Sequence, residues 1–183
     1  MKSITLILII LINSVNLSAQ RYFTRNGEVK FFSEAPMENI EAVNNKALCI
    51  IDLSKGQVAV DMLIKAFEFE KALMQEHFNE NYMESDVYPK ATYKGKFQVP
   101  EGLSKMKEGE YLIAVMGEIV IHGVKQKLDL PVNFKVANDV IYTEFEFVVS
   151  VIDHEIKIPK IVRENIAKEI LVMAEFELEP YIK

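Results

Sequence analysis

The sequence predicts an all-β domain of eight antiparallel strands, and three observations lead to this prediction. Apolar and polar residues alternate with a period of two over several segments, which is typical of strands with one dry and one wet face. Short polar breaks of the kind that joins hairpins separate these segments at residues 54–56, 108–109 and 138–139. Half of the chain is apolar, so one domain of this length can bury a large core.

The division into an apolar and a polar face is clearest in residues 141–149. Here, Phe145 and Phe147 fall on one face, whereas Glu144 and Glu146 fall on the other. Strands joined in sequence by short turns pair as antiparallel neighbours. A sheet of eight with one apolar face forms a sandwich or a closed barrel, and such a barrel has room for side chains or one small ligand. The eight predicted strands are residues 28–33, 47–53, 57–66, 91–99, 110–122, 128–136, 141–149 and 172–179.

Two segments break the period of two and indicate short helices. Residues 70–83 place Leu73, Met74, His77 and Phe78 near helical spacing with charges between them, which predicts an amphipathic helix that could cover one mouth of a barrel. Residues 161–170 follow Pro159, which suits the first turn of a helix. The expected architecture is therefore an eight-stranded antiparallel lipocalin-like β-barrel with one or two short helices.

Residues 1–19 differ from the rest of the chain. Met1 and Lys2 precede nine apolar residues, and a small, polar stretch follows as far as Ala19. This order is typical of a cleaved signal peptide, and the apolar run is too short to span a bilayer, which takes about 20 residues. We expect a mature chain that begins at Gln20, a periplasmic location, and one domain over residues 20–183 without a membrane span.

Charge and cysteine content narrow the function further. The formal net charge of −6 argues against nucleic acid as a partner, because phosphate neutralisation dominates that binding. Cys49 is the one cysteine, so no internal disulfide can form, and its apolar neighbours indicate a small buried residue. The sequence leaves the oligomeric state open between monomer and homodimer.

Chemical motifs are scarce. The chain contains no phosphate-binding GxGxxG or GxxxxGK[ST] loop and no GxSxG elbow, so we expect no nucleotide cofactor and no catalytic nucleophile. His77 and Glu80 share a helical face, but solvated helix charges explain them better than a metal site does. His154 is most simply a loop residue. His122 ends an apolar strand just before Gly123, where it is either a structural turn residue or a polar group that meets a ligand.

Three hypotheses follow for the barrel interior. In the first, inward apolar side chains line a dry cavity and the helix closes it. In the second, the same side chains fill the barrel, and the protein acts through its surface as a periplasmic stress or interaction protein. In the third, which we disfavour, His122 and Glu118 act as acid and base of an enzyme. The predicted ligand-binding residues of the first hypothesis are Val60, Met62, Ile64, Leu73, Phe78, Tyr82, Tyr93, His122, Phe134, Phe145, Phe147 and Phe176.

Three stretches of the mature chain resemble one family. They are residues 77–95 (HFNENYMESDVYPKATYKG), residues 117–132 (GEIVIHGVKQKLDLPV) and residues 158–180. In order and spacing they are similar to the signatures of the YceI-like family of exported polyisoprenoid-binding proteins. The resemblance implies a lipocalin-like barrel whose interior takes an apolar chain, usually in the bacterial periplasm. A polyisoprenoid, an isoprenoid quinone and a fatty acyl chain are the candidate ligands.

The sequence departs from the family pattern at two places. Residues near Met74, Gln75 and Glu76 replace the usual Arg-Asp pair, and residues 29–32 replace a polar Ser-His step of the first strand. Both departures concern polar groups that the resemblance assigns to the ligand head group. The resemblance therefore implies an apolar chain and leaves its head group open.

Overall fold

The computed structural model describes residues 21–181, and nine strands and two short helices follow one another along this part of the chain. α1 (Ala72–His77) continues directly into a π-helical turn, Phe78–Tyr82, and α2 (Glu101–Ser104) lies between two strands. Single 3₁₀ turns occur at Ile64–Ala66 and Lys160–Val162. The strands are β1 (Arg21–Glu34), β2 (Asn39–Asp52), β3 (Gln57–Leu63), β4 (Glu68–Phe69), β5 (Lys90–Lys96), β6 (Gly109–Ile121), β7 (Val124–Ala137), β8 (Val140–Ser150) and β9 (Glu169–Pro180).

Eight of the strands form a closed ring. The order around the ring is β1-β9-β8-β7-β6-β5-β3-β2, and β2 pairs again with β1, so the sheet has no open edge within the ring. All pairings are antiparallel, and the two-residue strand β4 adds to β2. The predicted eight-stranded antiparallel barrel is confirmed, and α1 with its π-helical turn lies within the helix predicted at residues 70–83.

The first two strands are longer than their alternation predicted. β1 begins at Arg21 rather than residue 28, because irregularities around Gly27 shift its register against β2 and hide the period of two. β2 begins at Asn39 rather than residue 47. Its buried Asn44 interrupts the apolar face, but the side-chain amide donates to the Leu63 carbonyl oxygen at 2.9 Å and its oxygen accepts from the Lys46 amide.

The predicted helix at residues 161–170 is wrong. Only the 3₁₀ turn at Lys160–Val162 is helical there, and β9 begins at Glu169. Backbone groups of this segment form hydrogen bonds with residues outside it. The Glu164 carbonyl oxygen accepts from the Met37 amide, and the Ala167 amide donates to Ser33 Oγ at 2.9 Å. These contacts hold the segment against the end of β1 and the β1–β2 loop, and they replace the hydrogen bonds of a helix.

Two hairpins close with the tightest possible turns. His122 and Gly123 join β6 to β7, and Asn138 and Asp139 join β7 to β8. All four residues have positive φ, between 52° and 75°. Positive φ at both central residues defines the type I′ turn, whose twist matches that of a β-hairpin.

The barrel has a packed half and an open half. The turns at residues 53–56 and 138–139 lie at its closed end, whereas the longer segments 64–89 and 151–168 lie at the other end, which we call the mouth. Many inward side chains near the closed end are at most 2% exposed, and Leu103 of α2 belongs to the same cluster. This packed core includes Cys49, Ile51, Val115, Phe134, Ile141 and Leu178.

The predicted signal peptide, residues 1–19, lies outside the described residues. Within residues 21–181, no helix is long and apolar enough to cross a membrane.

Candidate ligand cavity

A cavity of about 290 Å³ occupies the half of the barrel next to the mouth. Its walls are the inward faces of most strands in the ring. Many of these inward side chains are only half-buried, in contrast to those of the packed half, because they face the cavity instead of another side chain. The residues of the ring strands that line it are Val29, Phe31, Ser33, Ile40, Val60, Met62, Ala91, Tyr93, Ile119, Ile121, Phe145, Phe147, Val149, Ile170, Val172, Ala174 and Phe176.

Two segments meet over the cavity at the mouth. Residues 72–82, which comprise α1 and its π-helical turn and are called the mouth segment below, contribute Met74, Phe78 and Tyr82. The segment between β8 and β9 contributes five aliphatic side chains from the opposite side. These are Val151, Ile156, Ile158, Val162 and Ile166.

An aromatic cluster attaches the mouth segment to the barrel. The Phe78 ring stacks on Phe31 of β1 with centroids 5.4 Å apart, and it contacts Phe67 and Phe69 at 5.6 and 5.0 Å. Such pairs are each worth about 0.5–1.5 kcal/mol beyond the area that they bury. Because no residue of the mouth segment is fully buried, this one ring carries much of its attachment.

The structure places nine of the twelve predicted ligand-binding residues in the cavity wall. Leu73 is not among them, because it is 61% exposed on the outer side of α1, while Met74 faces inward. Phe134 lies in the packed half against Phe97, with centroids 5.3 Å apart. His122 lies at the rim, outside the lining. The nine lining residues are Val60, Met62, Ile64, Phe78, Tyr82, Tyr93, Phe145, Phe147 and Phe176.

The His122 ring joins three parts of the rim. Its Nδ1–H donates to the His154 carbonyl oxygen at 3.1 Å, and its Nε2 lies 2.9 Å from Glu84 Oε2 just beyond the mouth segment. Tyr88 packs on the same ring at 4.5 Å. Glu118, the other acid–base candidate, is exposed and pairs with Lys125 at 3.2 Å. Neither residue therefore faces the cavity.

A family model for the YceI-like domain matches residues 19–178. The chain belongs to the YceI-like family. The resemblance seen in the three sequence stretches is thereby confirmed, and the match extends over almost the whole barrel. A comparison with curated proteins gave no match.

Solved structures share this YceI-like fold at low sequence identity. A polyisoprenoid binding domain from Saccharophagus degradans, implicated in plant cell wall breakdown, is 11% identical with a TM-score of 0.76, covering 89% of this chain and 99% of its own. BcnA of Burkholderia cenocepacia is 15% identical with a TM-score of 0.67, covering 83% and 95%. The YceI protein of Campylobacter jejuni is 16% identical with a TM-score of 0.54, covering 72% and 78%. These likenesses show the fold.

Polar groups of the YceI-like cavity are mostly bonded to the protein itself. The buried Ser33 hydroxyl accepts from Ala167, and the Tyr93 hydroxyl donates to the Leu128 carbonyl oxygen at 3.2 Å. Burial, with the nearby Asp129 charge, raises the pKa of Tyr93 to about 12, and burial also raises the pKa of Tyr82. Both phenols are therefore neutral near pH 7, and the walls present an uncharged surface.

Charged groups lie at the mouth instead. Lys71 donates to Glu38 Oε1 at 2.8 Å, and this hydrogen bond holds the pKa of the Glu38 carboxyl below its usual range. Asn165 also contacts Glu38, and the exposed His77 lines the mouth as well. The polar end of an amphiphilic ligand would meet these groups while its chain lies inside.

Glycines allow aromatic rings to form the cavity floor. A Cβ at Gly117 would lie 2.6 Å from Tyr93 Oη. Gly95 pairs with Gly117 across β5 and β6, and a Cβ there would lie 2.9 Å from the same hydroxyl oxygen. The ring of Phe176 lies in the same way over Gly27. Tyr93 and Phe176 therefore separate the cavity from the packed half below.

Sequence reasoning missed the part of the site that comes from irregular segments. Ile40 lies in the part of β2 that the alternation did not predict, and residues 161–166 of the wall were assigned to a helix. Val29 and Phe31 lie within the strand predicted at residues 28–33 but were not among the predicted ligand-binding residues. The apolar run Ile156, Ile158, Ile161 and Val162 was the available signal, but only three of these side chains face the cavity, because Ile161 is 91% exposed. Periodicity cannot show how an extended segment lies across a barrel mouth.

The described residues offer neither a cluster of metal ligands nor an accessible thiol. Within residues 21–181 no group of three His, Cys, Asp or Glu side chains is placed to hold a metal ion. The Cys49 thiol is buried in the packed half, and this burial raises its pKa. A thiol in this environment is a poor nucleophile.

Proposed function

We propose that this protein binds one apolar chain in the cavity of its barrel, without a chemical step. The ligand class is a polyisoprenoid, an isoprenoid quinone or a fatty acyl chain. The single observation that carries the proposal is the division of the barrel, in which one half is packed while the other encloses an apolar cavity of about 290 Å³. Membership of the YceI-like family and the polyisoprenoid binding domain among its structural relatives support it.

The size of the cavity bears on what it can hold. Small-molecule pockets are about 300–1,000 Å³, so this cavity suits a short chain or one end of a longer chain that leaves through the mouth. Burial of about ten methylene groups would contribute about 8 kcal/mol. Association costs about 4–15 kcal/mol, so useful affinity depends on a cavity that exists before the ligand arrives and on further contacts at the mouth.

Export and carriage belong to the same proposal. The basic, apolar and small-residue order of residues 1–19 supports export to the periplasm. A carrier or store of an apolar chain is useful there because such a chain does not cross an aqueous compartment unaided. A barrel that acts only through its surface is the competing function, and it would have an interior filled along its whole length.

Bulky substitutions in the wall test the proposal. Met62→Trp and Phe145→Trp would extend into the cavity from opposite walls, and we expect each to reduce uptake of a fluorescent fatty acid or a polyprenyl chain at least tenfold. Val148→Trp is the matched control, because Val148 neighbours this wall on β8 but points to solvent. Equal uptake by all three variants would overturn the proposed cavity, and circular dichroism checks that each variant remains folded.

A further inference from the structure

A second concave surface lies on the outside of the barrel, and it is positively charged although the net charge of the chain is negative. It is formed by the outward faces of β2, β3 and β5, the start of β1, and Tyr181, and it encloses about 970 Å³. We call it the basic groove. Its charged members are two carboxylates, Asp52 and Asp61, and seven cations, Arg21, Arg25, Lys46, Lys55, Lys90, Lys94 and Lys96.

Most of these cations are not neutralised within the described residues. Arg21 pairs with Asp52 at 3.0 Å, and Lys90 pairs with Asp61 at 3.2 Å. No carboxylate of residues 21–181 lies within 4.0 Å of the other five cationic groups. A cluster of this sign is unexpected on a chain of net charge −6, so the acidic residues must be concentrated elsewhere.

Exposed glutamates collect in a row on the outward faces of β8 and β9. β8 is four strands from β3 in either direction around the ring, whereas β9 lies beside β1, and Glu179 pairs with Phe23 at the edge of the groove. The wall at β8 is therefore negative and faces away from the centre of the groove. The glutamate row consists of Glu144, Glu146, Glu175, Glu177 and Glu179.

Apolar side chains lie among the cations of the basic groove. Ile50 is 40% exposed, Leu63 is 50% exposed, and Tyr181 is 45% exposed and packs edge-on against Phe23 at 5.4 Å. Aromatic and aliphatic side chains mixed with Lys and Arg are typical of surfaces that rest at the level of lipid head groups. The charges are attracted by the anionic lipids while the apolar groups enter the boundary of the acyl chains.

We propose that the basic groove docks this barrel on an anionic lipid surface. The cations of the groove and the glutamates of β8 on the far wall turn the groove toward the bilayer. Leu63 at the edge of the groove directly precedes Ile64, which lines the cavity, so docking places the mouth beside the bilayer. The proposal goes beyond ligand binding, since docking requires no chain in the cavity.

A second copy of the chain fits the groove less well. The glutamate row of one barrel would have to enter the groove of the next, and both surfaces of each barrel would then be used in a head-to-tail contact. Such contacts join different surfaces and continue without closing unless the rotation forms a ring. A lipid surface needs only the groove and leaves the glutamate row in water.

Vesicle flotation with the full mature chain tests the proposal. We expect binding to vesicles of phosphatidylcholine with phosphatidylglycerol, no binding to phosphatidylcholine alone, and weaker binding as salt rises. Each Lys or Arg near an anionic leaflet strengthens binding about fivefold, so Lys46→Glu, Lys94→Glu and Lys96→Glu together should weaken it at least about a hundredfold. All three side chains are exposed, so folding should persist.

A second triple variant with the same change in net charge distinguishes the effect of the groove cations from the effect of net charge alone. Lys107→Glu, Lys127→Glu and Lys135→Glu change the charge by the same amount at exposed sites outside both the groove and the mouth, and this variant should bind within about threefold of the wild type. Equal losses in both triple variants, or no binding of the wild type to anionic vesicles, would overturn the proposal. Self-association that only the groove variant loses, seen by sedimentation without vesicles, would overturn it in favour of a second copy. Fatty acid uptake by the groove variant shows separately whether the cavity functions.

Discussion

Phe134 and Phe145 both point into the barrel, yet their surroundings differ. Phe134 lies in the packed half and is 1% exposed, whereas Phe145 is half-buried in the cavity wall. Truncation of an enclosed ring removes its contacts and leaves a new void, which costs about 3–5 kcal/mol. A ring that already borders a cavity loses fewer contacts on truncation.

We therefore predict that Phe134→Ala lowers the free energy of unfolding by about 3–5 kcal/mol, and that Phe145→Ala lowers it by less than half as much. Urea unfolding of the two variants beside the wild type measures both values. Equal losses would mean that Phe145 is packed as tightly as Phe134, and the division of the barrel into a packed and an open half would then be incorrect.

Among the elements, the mouth segment has the weakest attachment. None of its residues is fully buried, and its main anchor is the Phe78 ring in the aromatic cluster. The long hairpin of β6 and β7 is paired along its whole length from Gly109 to Val136. Segments with few buried contacts open at a lower free energy than the core strands do.

We predict that amides of residues 72–82 exchange with solvent at least about tenfold faster than those of the β6–β7 hairpin. Phe78→Ala should speed exchange in the mouth segment further and leave the hairpin unchanged. Hydrogen exchange followed by mass spectrometry gives both rates. Protection of the mouth segment equal to that of the hairpin would show that it does not open independently of the barrel.

The strands show what the sequence could and could not reveal about the elements. Where a strand has one wet and one dry face, as in β7, β8 and β9, alternation located it to within about four residues. Where a bulge or a bonded polar residue interrupts the face, as at Gly27 or Asn44, the strand was assigned too short. The segment before β9 was taken for a helix because its backbone partners, Met37 and Ser33, are remote in sequence.

For the site, alternation indicates which side chains point inward but not how deep in the barrel they lie. Phe134 and Phe145 are indistinguishable by this criterion, because depth depends on strand register and tilt. The cavity floor depends on rings that lie over Gly27, Gly95 and Gly117, and such contacts across strands leave no local pattern. The division into a packed and an open half therefore emerged only from the three-dimensional structure.

The barrel as a whole encloses an apolar cavity, in which water finds few hydrogen-bond partners. Apolar cavities tend to stay dry, and a chain that fills one gains dispersion contacts in addition to leaving water. A protein with this interior should acquire such a chain in the cell and retain it through purification. The content of the cavity after mild purification therefore bears directly on the proposed function.

Native mass spectrometry of the protein, purified from an exporting bacterium without detergent, is the most direct test. We predict a reproducible added mass that organic extraction releases as an isoprenoid or another lipid chain, and that Phe145→Trp lacks while Val148→Trp keeps it. A mass without any addition in repeated preparations, together with no uptake of polyprenyl or fatty chains, would contradict the account.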